Sequence, residues 1–105
     1  MIDISKNDWK LFRERLPDWQ ERYMGNLLQE YNKLISGNTA ASERFWALDE
    51  RIRKDKRSPG VQLTISRSGV FDALIRLLND GVITMNDLAD FSNELKDRIS
   101  FLRQL

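Results

Sequence analysis

The sequence predicts a mainly α-helical protein, a compact bundle of about five helices with one short β element. Apolar residues recur at the three- and four-residue spacing of a helix face through most of the chain. Strict alternation of apolar and polar residues, which is typical of a strand, is confined to residues 2–4 and 61–66. The chain has 105 residues, the length of one domain, so residues 1–105 are expected to form a single helical domain.

Two helices are predicted before residue 36. Ser5 precedes a short first helix that ends at Pro17, because proline lacks the amide hydrogen that a helix interior needs. Pro17 also suits the first position of a second helix, which carries a broad apolar stripe over residues 24–35. Gly25 in that stripe either permits close approach of another backbone or is a tolerated weakness.

A third helix and the β element follow. Thr39 is the predicted N-cap of the helix, which continues into the charged stretch 51–57 and ends at residues 58–60. Beyond it, the alternating residues 61–65 predict a strand that pairs with residues 2–5. If that pairing does not form, the strand edge is available to a second chain.

Two further helices are predicted in the last third of the chain. The one from Gly69 to Asn79 has the widest apolar arc and is expected to be the most buried. Thr84 and Asp87 form a capping-box pattern at the start of the other. An unbroken apolar stripe from Leu88 onward predicts one continuous helix to the carboxyl end.

The same region also resembles a helix-turn-helix. Residues 77–89 match the pattern L-L-x-x-G-x-I-T-x-x-D-L-A that opens winged helix-turn-helix domains. The resemblance extends over residues 74–103 and implies a turn at Asn93 and a recognition helix over residues 95–103. The turn has no glycine, the chain has no wing, and the charges of the implied recognition helix nearly cancel, whereas DNA-reading helices are usually basic.

The composition argues against an enzyme. The absence of histidine and cysteine removes the commonest general base, thiolate nucleophiles and the commonest ligands of transition metals. No glycine-rich phosphate loop is present. We therefore expect no catalytic residues, no cofactor and no metal. With 17 basic and 16 acidic residues, the chain also has no overall attraction for nucleic acid or anionic lipid.

One local segment is strongly basic. Acidic and basic residues at i, i+4 spacing predict that much of this segment is a solvated, self-neutralised helix face. The alternative is a surface for phosphate groups or for an acidic partner. Its basic residues are Arg51, Arg53, Lys54, Lys56, Arg57 and, beyond the predicted strand, Arg67.

Two aromatic residues are candidate partner contacts. Trp46 has polar helical neighbours, so it is either a core residue touching two other helices, as large aromatics usually are, or an anchor for a protein partner. Phe101 faces away from the stripe of the last helix, which suggests an apolar surface for a partner or a second copy.

The chain resembles small helical proteins of unassigned role carried on mobile genetic elements of Gram-positive bacteria. The resemblance lies in RFWALDERIRKDKRSPGV at residues 44–61 and LIRLLNDGVITMNDLADFSNELKDRI at residues 74–99. It implies regulatory binding to a larger bacterial complex, including inhibition. We expect a cytoplasmic protein that does not engage membranes, because no signal-peptide pattern or long apolar run occurs. Nucleic-acid binding and a homodimer are the alternatives.

Overall fold

The structure, a computed structural model, describes residues 3–105 and is mainly helical, as predicted. Four α-helices form where five were predicted, and two single 3₁₀ turns lie between them. In chain order the helices are α1 (Lys6–Ile35), α2 (Ala41–Asp55), α3 (Val70–Asn79) and α4 (Asn93–Arg103), and the 3₁₀ turns are Arg67–Gly69 and Met85–Leu88.

The predicted break at Pro17 is wrong, because α1 runs through it for 30 residues. Ser5 caps the helix as expected, its hydroxyl accepting a hydrogen bond from the Asp8 amide at 3.1 Å. A proline inside a helix costs about 3 kcal/mol. Buried side chains on both sides of the proline offset this cost, since Phe12, Leu16 and Trp19 all enter the same core. The first two predicted helices are therefore one.

The molecule has a globular head and a protruding arm, so the predicted compact bundle is also wrong. Its Cα radius of gyration is 16.7 Å and its dimensions are 53 × 27 × 22 Å. A compact chain of this length would have a radius of about 13 Å. The head contains the first half of α1, with α3, α4 and both 3₁₀ turns, around one core. The arm is a helical hairpin, the second half of α1 with α2.

Helix α3 is the most buried, as predicted, with five of its ten residues inside the core. It ends at Asn79, two residues before Gly81, whose φ of 73° is the only positive value among the described residues. The Gly81 amide donates to the Leu78 carbonyl at 3.1 Å and the Val82 amide to the Leu77 carbonyl at 2.9 Å. This double closure satisfies the free carbonyls of the helix end and needs the left-handed conformation that glycine adopts easily.

The predicted β element does not form among the described residues, and Ile2 lies outside them. Residues 62–66 have no regular secondary structure, and Leu63 and Ile65 pack against the core, as the alternation predicts. A strand partner is missing because the Ile4 carbonyl accepts a hydrogen bond from the Arg67 guanidinium at 3.0 Å, in place of a strand amide.

The predicted continuous last helix is wrong. Thr84 and Asp87 do form the capping box, but on the short 3₁₀ turn, and the chain bends before α4 starts. In a continuous helix the Ser92 amide would donate to the Leu88 carbonyl. It donates instead to the Asp8 carboxylate at 3.0 Å, while the Ser92 hydroxyl caps α4 by accepting from the Leu95 amide at 3.2 Å. The apolar stripe reaches the core in two pieces.

No helix in the described part of the chain is long and apolar enough to span a bilayer.

Candidate protein-binding surface on the helical arm

A polar network holds the two helices of the arm together. Asp55 is the only buried residue of α2. Its carboxylate accepts a hydrogen bond from the Tyr31 hydroxyl at 2.5 Å and forms an ion pair with Arg51 Nε at 3.0 Å. Arg51 also pairs with Glu30 across the hairpin at 3.1 Å. The arm therefore depends on specific charge-assisted contacts more than on a core of its own.

The pKa values of two residues in this network, Tyr31 and Arg51, are raised. Burial, followed by the hydrogen bond to the Asp55 carboxylate, raises the pKa of Tyr31 to about 12. Burial works against the charge of Arg51, but the carboxylates of Asp55 and Glu30 outweigh it and raise the Arg51 pKa. Arg51, a predicted partner contact, is thus already engaged inside the arm.

Helix α2 begins later than predicted. Its N-cap is Ala40, which has no side-chain oxygen to accept a hydrogen bond. Arg44 supplies the missing tether, because its guanidinium donates to the Thr39 carbonyl at 3.0 Å and to the Ile35 carbonyl at 2.7 Å. The helix ends at Asp55, just before the predicted stop at residues 58–60. These contacts fix the hairpin loop at the tip.

Trp46 is exposed, which contradicts the core reading of this residue. It and its neighbour Phe45 are 62% and 63% exposed, with ring centroids 5.0 Å apart and ring planes at 86°. Trp46 would be buried only if a third helix packed on the outer side of α2, but the arm has only two helices. The sequence pattern does not reveal how many neighbours a helix has. We call Phe45 and Trp46 the aromatic pair.

Some of the basic residues at the end of α2 and just after it form ion pairs, and others do not. Arg53 pairs with Asp49 at 2.9 Å, one of the predicted i, i+4 pairs. Within residues 3–105, no carboxylate lies within ion-pair distance of Lys54, Lys56 or Arg57, and all three side chains are exposed. These three form the free basic cluster. The predicted self-neutralised face is therefore correct for Arg51 and Arg53 alone.

An apolar groove runs along one side of the arm, and it is not among the features that the sequence predicts. Its main part has a volume of about 500 Å³, and a neighbouring part of about 300 Å³ lies towards the head. Leu28 is 65% exposed at its edge. The apolar stripe of α1 is wider than one neighbouring helix can cover, which is the signal that could have revealed it. The aliphatic and methionine side chains of the groove are Met24, Leu27, Leu28, Ile35, Leu48, Ile52 and Val61.

The other two predicted contacts lie elsewhere. Arg67 is in the head, where its guanidinium donates a hydrogen bond to the Ile4 carbonyl. Phe101 is 53% exposed on α4, with the Arg98 guanidinium 5.8 Å from its ring centroid. The predicted partner-binding residues therefore do not form one surface. Four of them are exposed on α2 or in the two residues after it, and the three cations among these form no ion pair within residues 3–105: Trp46, Lys54, Lys56 and Arg57.

No group of three or more acidic side chains within residues 3–105 is arranged to hold a metal ion. The chain bends before Ser92, as a helix-turn-helix requires. The first helix of that motif, however, is here a single 3₁₀ turn of four residues. Comparison with protein families, with curated proteins and with solved structures yields no match for this chain.

Proposed function

We propose that the protein is a non-enzymatic protein-interaction module that contacts its partner through the aromatic pair on the arm. The exposure of Phe45 and Trp46, side by side, is the observation that supports this most. Together they leave roughly 250–300 Å² of aromatic surface in water, a large share of the biggest apolar patch on a typical monomer.

The surroundings of the aromatic pair suit an interface. Tryptophan is enriched among the residues that dominate binding energy, and such residues are usually ringed by polar groups that exclude water. Asp49, Glu50 and Arg53 provide that ring along the same helix. The two rings pack edge to face, so little side-chain freedom remains to be lost on binding.

The resemblance to mobile-element proteins suggests the kind of partner. We propose a larger bacterial complex, which this protein regulates as an inhibitor or accessory. The distance between arm and head favours such a role, because the arm can contact one component while the head remains outside it.

The test is a tagged pull-down from a bacterial lysate treated with nuclease, with Trp46→Ala and Phe45→Ala beside the wild type. A stoichiometric protein retained by the wild type and lost with either variant supports the proposal. Phe101→Ala is the matched control, since it removes a ring of the head that is also more than half exposed. Urea unfolding of Trp46→Ala should show a change below about 1 kcal/mol, because the side chain fills no core. Equal retention by all variants contradicts the proposal.

Nucleic-acid binding is a second candidate function, favoured by the free basic cluster. Exposed cations without carboxylate partners are available to phosphates, and binding through them weakens steeply with salt. We expect Lys54→Ala, Lys56→Ala and Arg57→Ala each to reduce the salt dependence of binding to a DNA or RNA duplex, measured by fluorescence anisotropy.

The helix-turn-helix alternative places the contact on α4 instead. There Lys96→Ala and Arg103→Ala would have the larger effect. Salt-independent binding, or none, rejects both versions of the nucleic-acid function.

A further inference from the structure

Within residues 3–105, no further element packs over the apolar groove of the arm. It lies between α1 and α2, and Tyr31 and Asp55 of the polar network form part of its lining, whereas Arg51 does not. Leu28 and Ile35 are exposed at 65% and 42% on its α1 side. On its α2 side, Leu48 and Ile52 are only half-covered. A helical hairpin with one open apolar face is half of a four-helix bundle.

We propose that the groove binds the groove of a second copy of this chain, so that two arms pack face to face, in antiparallel directions, as a four-helix bundle. A C2 pair uses the same patch twice, which an apolar, self-complementary face allows. Phe45 lies three residues before Leu48, on the groove side of α2, whereas Trp46 lies about 160° around the helix from Leu48 and stays accessible in such a dimer. Trp46→Ala, and not Phe45→Ala, therefore separates the dimer from the proposed function.

Charge along α2 and the two residues that follow it favours the antiparallel arrangement. Residues 41–50 contain three acidic residues and one basic residue, a net charge of −2. Residues 51–57 contain five basic residues and one acidic residue, a net charge of +4. A parallel pair would bring the two +4 segments together, whereas an antiparallel pair places each beside the −2 segment of its partner. Such complementarity chiefly selects the orientation.

The size of the face indicates a weak dimer. Two helices side by side over 15 residues present a face of about 20 by 22 Å, and covering it on both copies removes on the order of 1,000 Å² of accessible surface. That area is near the lower limit for a specific interface. We therefore expect a dimer that dissociates on dilution, with a micromolar dissociation constant.

The first test measures molar mass by sedimentation over protein concentrations from about 5 to 500 μM, a range that covers micromolar dissociation constants. The wild type should change from monomer to dimer across it. Leu28→Glu places a charge in the apolar interface and should raise the dissociation constant at least about tenfold. Phe101→Glu, an equal change on the head, and Trp46→Ala should leave it unaltered. A wild type that stays monomeric, or a dimer insensitive to Leu28→Glu, overturns the proposal.

The second test reads the orientation and does not depend on Leu28→Glu folding. The chain has no cysteine, so a single introduced thiol gives an unambiguous cross-link. Asn32 lines the main part of the groove, through which the proposed two-fold axis passes, and Asn38 lies at the arm tip. Asn32→Cys should form a disulfide-linked dimer under mild oxidation, and Asn38→Cys should not, because antiparallel arms separate their tips. The reverse result, or cross-linking of neither variant, overturns the antiparallel dimer.

Discussion

The carboxylate of Asp8, near the start of α1, accepts two hydrogen bonds from Ser92, one from its amide at 3.0 Å and one from its hydroxyl at 2.5 Å. Asp8 is buried, and Ser92 is the N-cap of α4. One side chain therefore joins the two ends of the head and determines where the last helix begins.

Asp8→Ala should destabilise the head by about 2–3 kcal/mol, because it leaves the Ser92 donors unsatisfied in a largely buried place. Urea unfolding followed by circular dichroism measures this change. The control is Asp18→Ala, which removes an exposed carboxylate of the same helix. Equal effects of the two substitutions would mean that the Asp8–Ser92 contact does not stabilise the head.

Two glycines should respond to alanine in opposite directions. A Cβ at Gly60 would overlap the ring of Tyr23, so Gly60→Ala should cost about 1–3 kcal/mol through the shift that it forces. Gly25 lies inside α1 with no atom within 4 Å of the position of a Cβ, so Gly25→Ala should stabilise the fold by about 1 kcal/mol. Thermal unfolding of both variants checks the signs, and destabilisation by Gly25→Ala would disagree with the structure.

Arg22 should stabilise the fold above the acid range. Its guanidinium pairs with both carboxylate oxygens of Asp87, each at 3.1 Å. Burial alone would raise the pKa of Asp87, but the hydrogen bonds from Arg22 and from the Thr84 amide outweigh it and lower the pKa. A lowered pKa in the folded state gives stability that is present above the unfolded value of about 3.9 and is lost as pH falls through the folded value.

We therefore expect Arg22→Ala to cost about 1 kcal/mol at pH 7, since Arg22 is half exposed, and less near pH 3. Chemical unfolding of the wild type and the variant at each of these two pH values measures the cost of the substitution. A cost that is the same at both would show that the pair with Asp87 is not its source.

Tyr31 should make the fold sensitive to alkali. Its pKa is raised to about 12, so the protonated hydroxyl is favoured in the folded state. The resulting stability is complete below the unfolded value of about 10 and is lost as pH rises through the folded value. Tyrosinate absorbance during a pH titration should show one of the two tyrosines ionising late.

Tyr31→Phe should abolish this late ionisation and cost about 1–2 kcal/mol at neutral pH, because the buried Asp55 loses a donor. Tyr23→Phe is the control for the absorbance. If the late phase disappears with Tyr23→Phe instead, the raised pKa does not belong to Tyr31.

The sequence predicts the helices better than their boundaries and their neighbours. Periodicity identified α3 and its burial, and the turn residues identified the glycine that ends it. Pro17 misled the prediction because its local cost is smaller than the burial on both sides of it. The bend before α4 depends on a carboxylate 84 residues away, Asp8, which no local pattern contains.

In the candidate site, too, the sequence predicts the features within one helix better than the neighbours of that helix. The charges of α2 were visible in the sequence, and two of the i, i+4 pairs form as expected. The exposure of Trp46 was not visible, because it depends on the absence of a third helix beside the arm. The groove was missed for the same reason, since an apolar side chain such as Leu28 is assigned to a core by default.

The continuity of α1 through Pro17 has a mechanical consequence. At about 1.5 Å per residue, its 30 residues form a rod of about 45 Å that belongs to both head and arm. Head and arm share this one helix without a loop between them. A macromolecule that binds the arm tip therefore also fixes the direction in which the head points. The head then stands at a fixed distance and angle, as a spacer or an obstruction would.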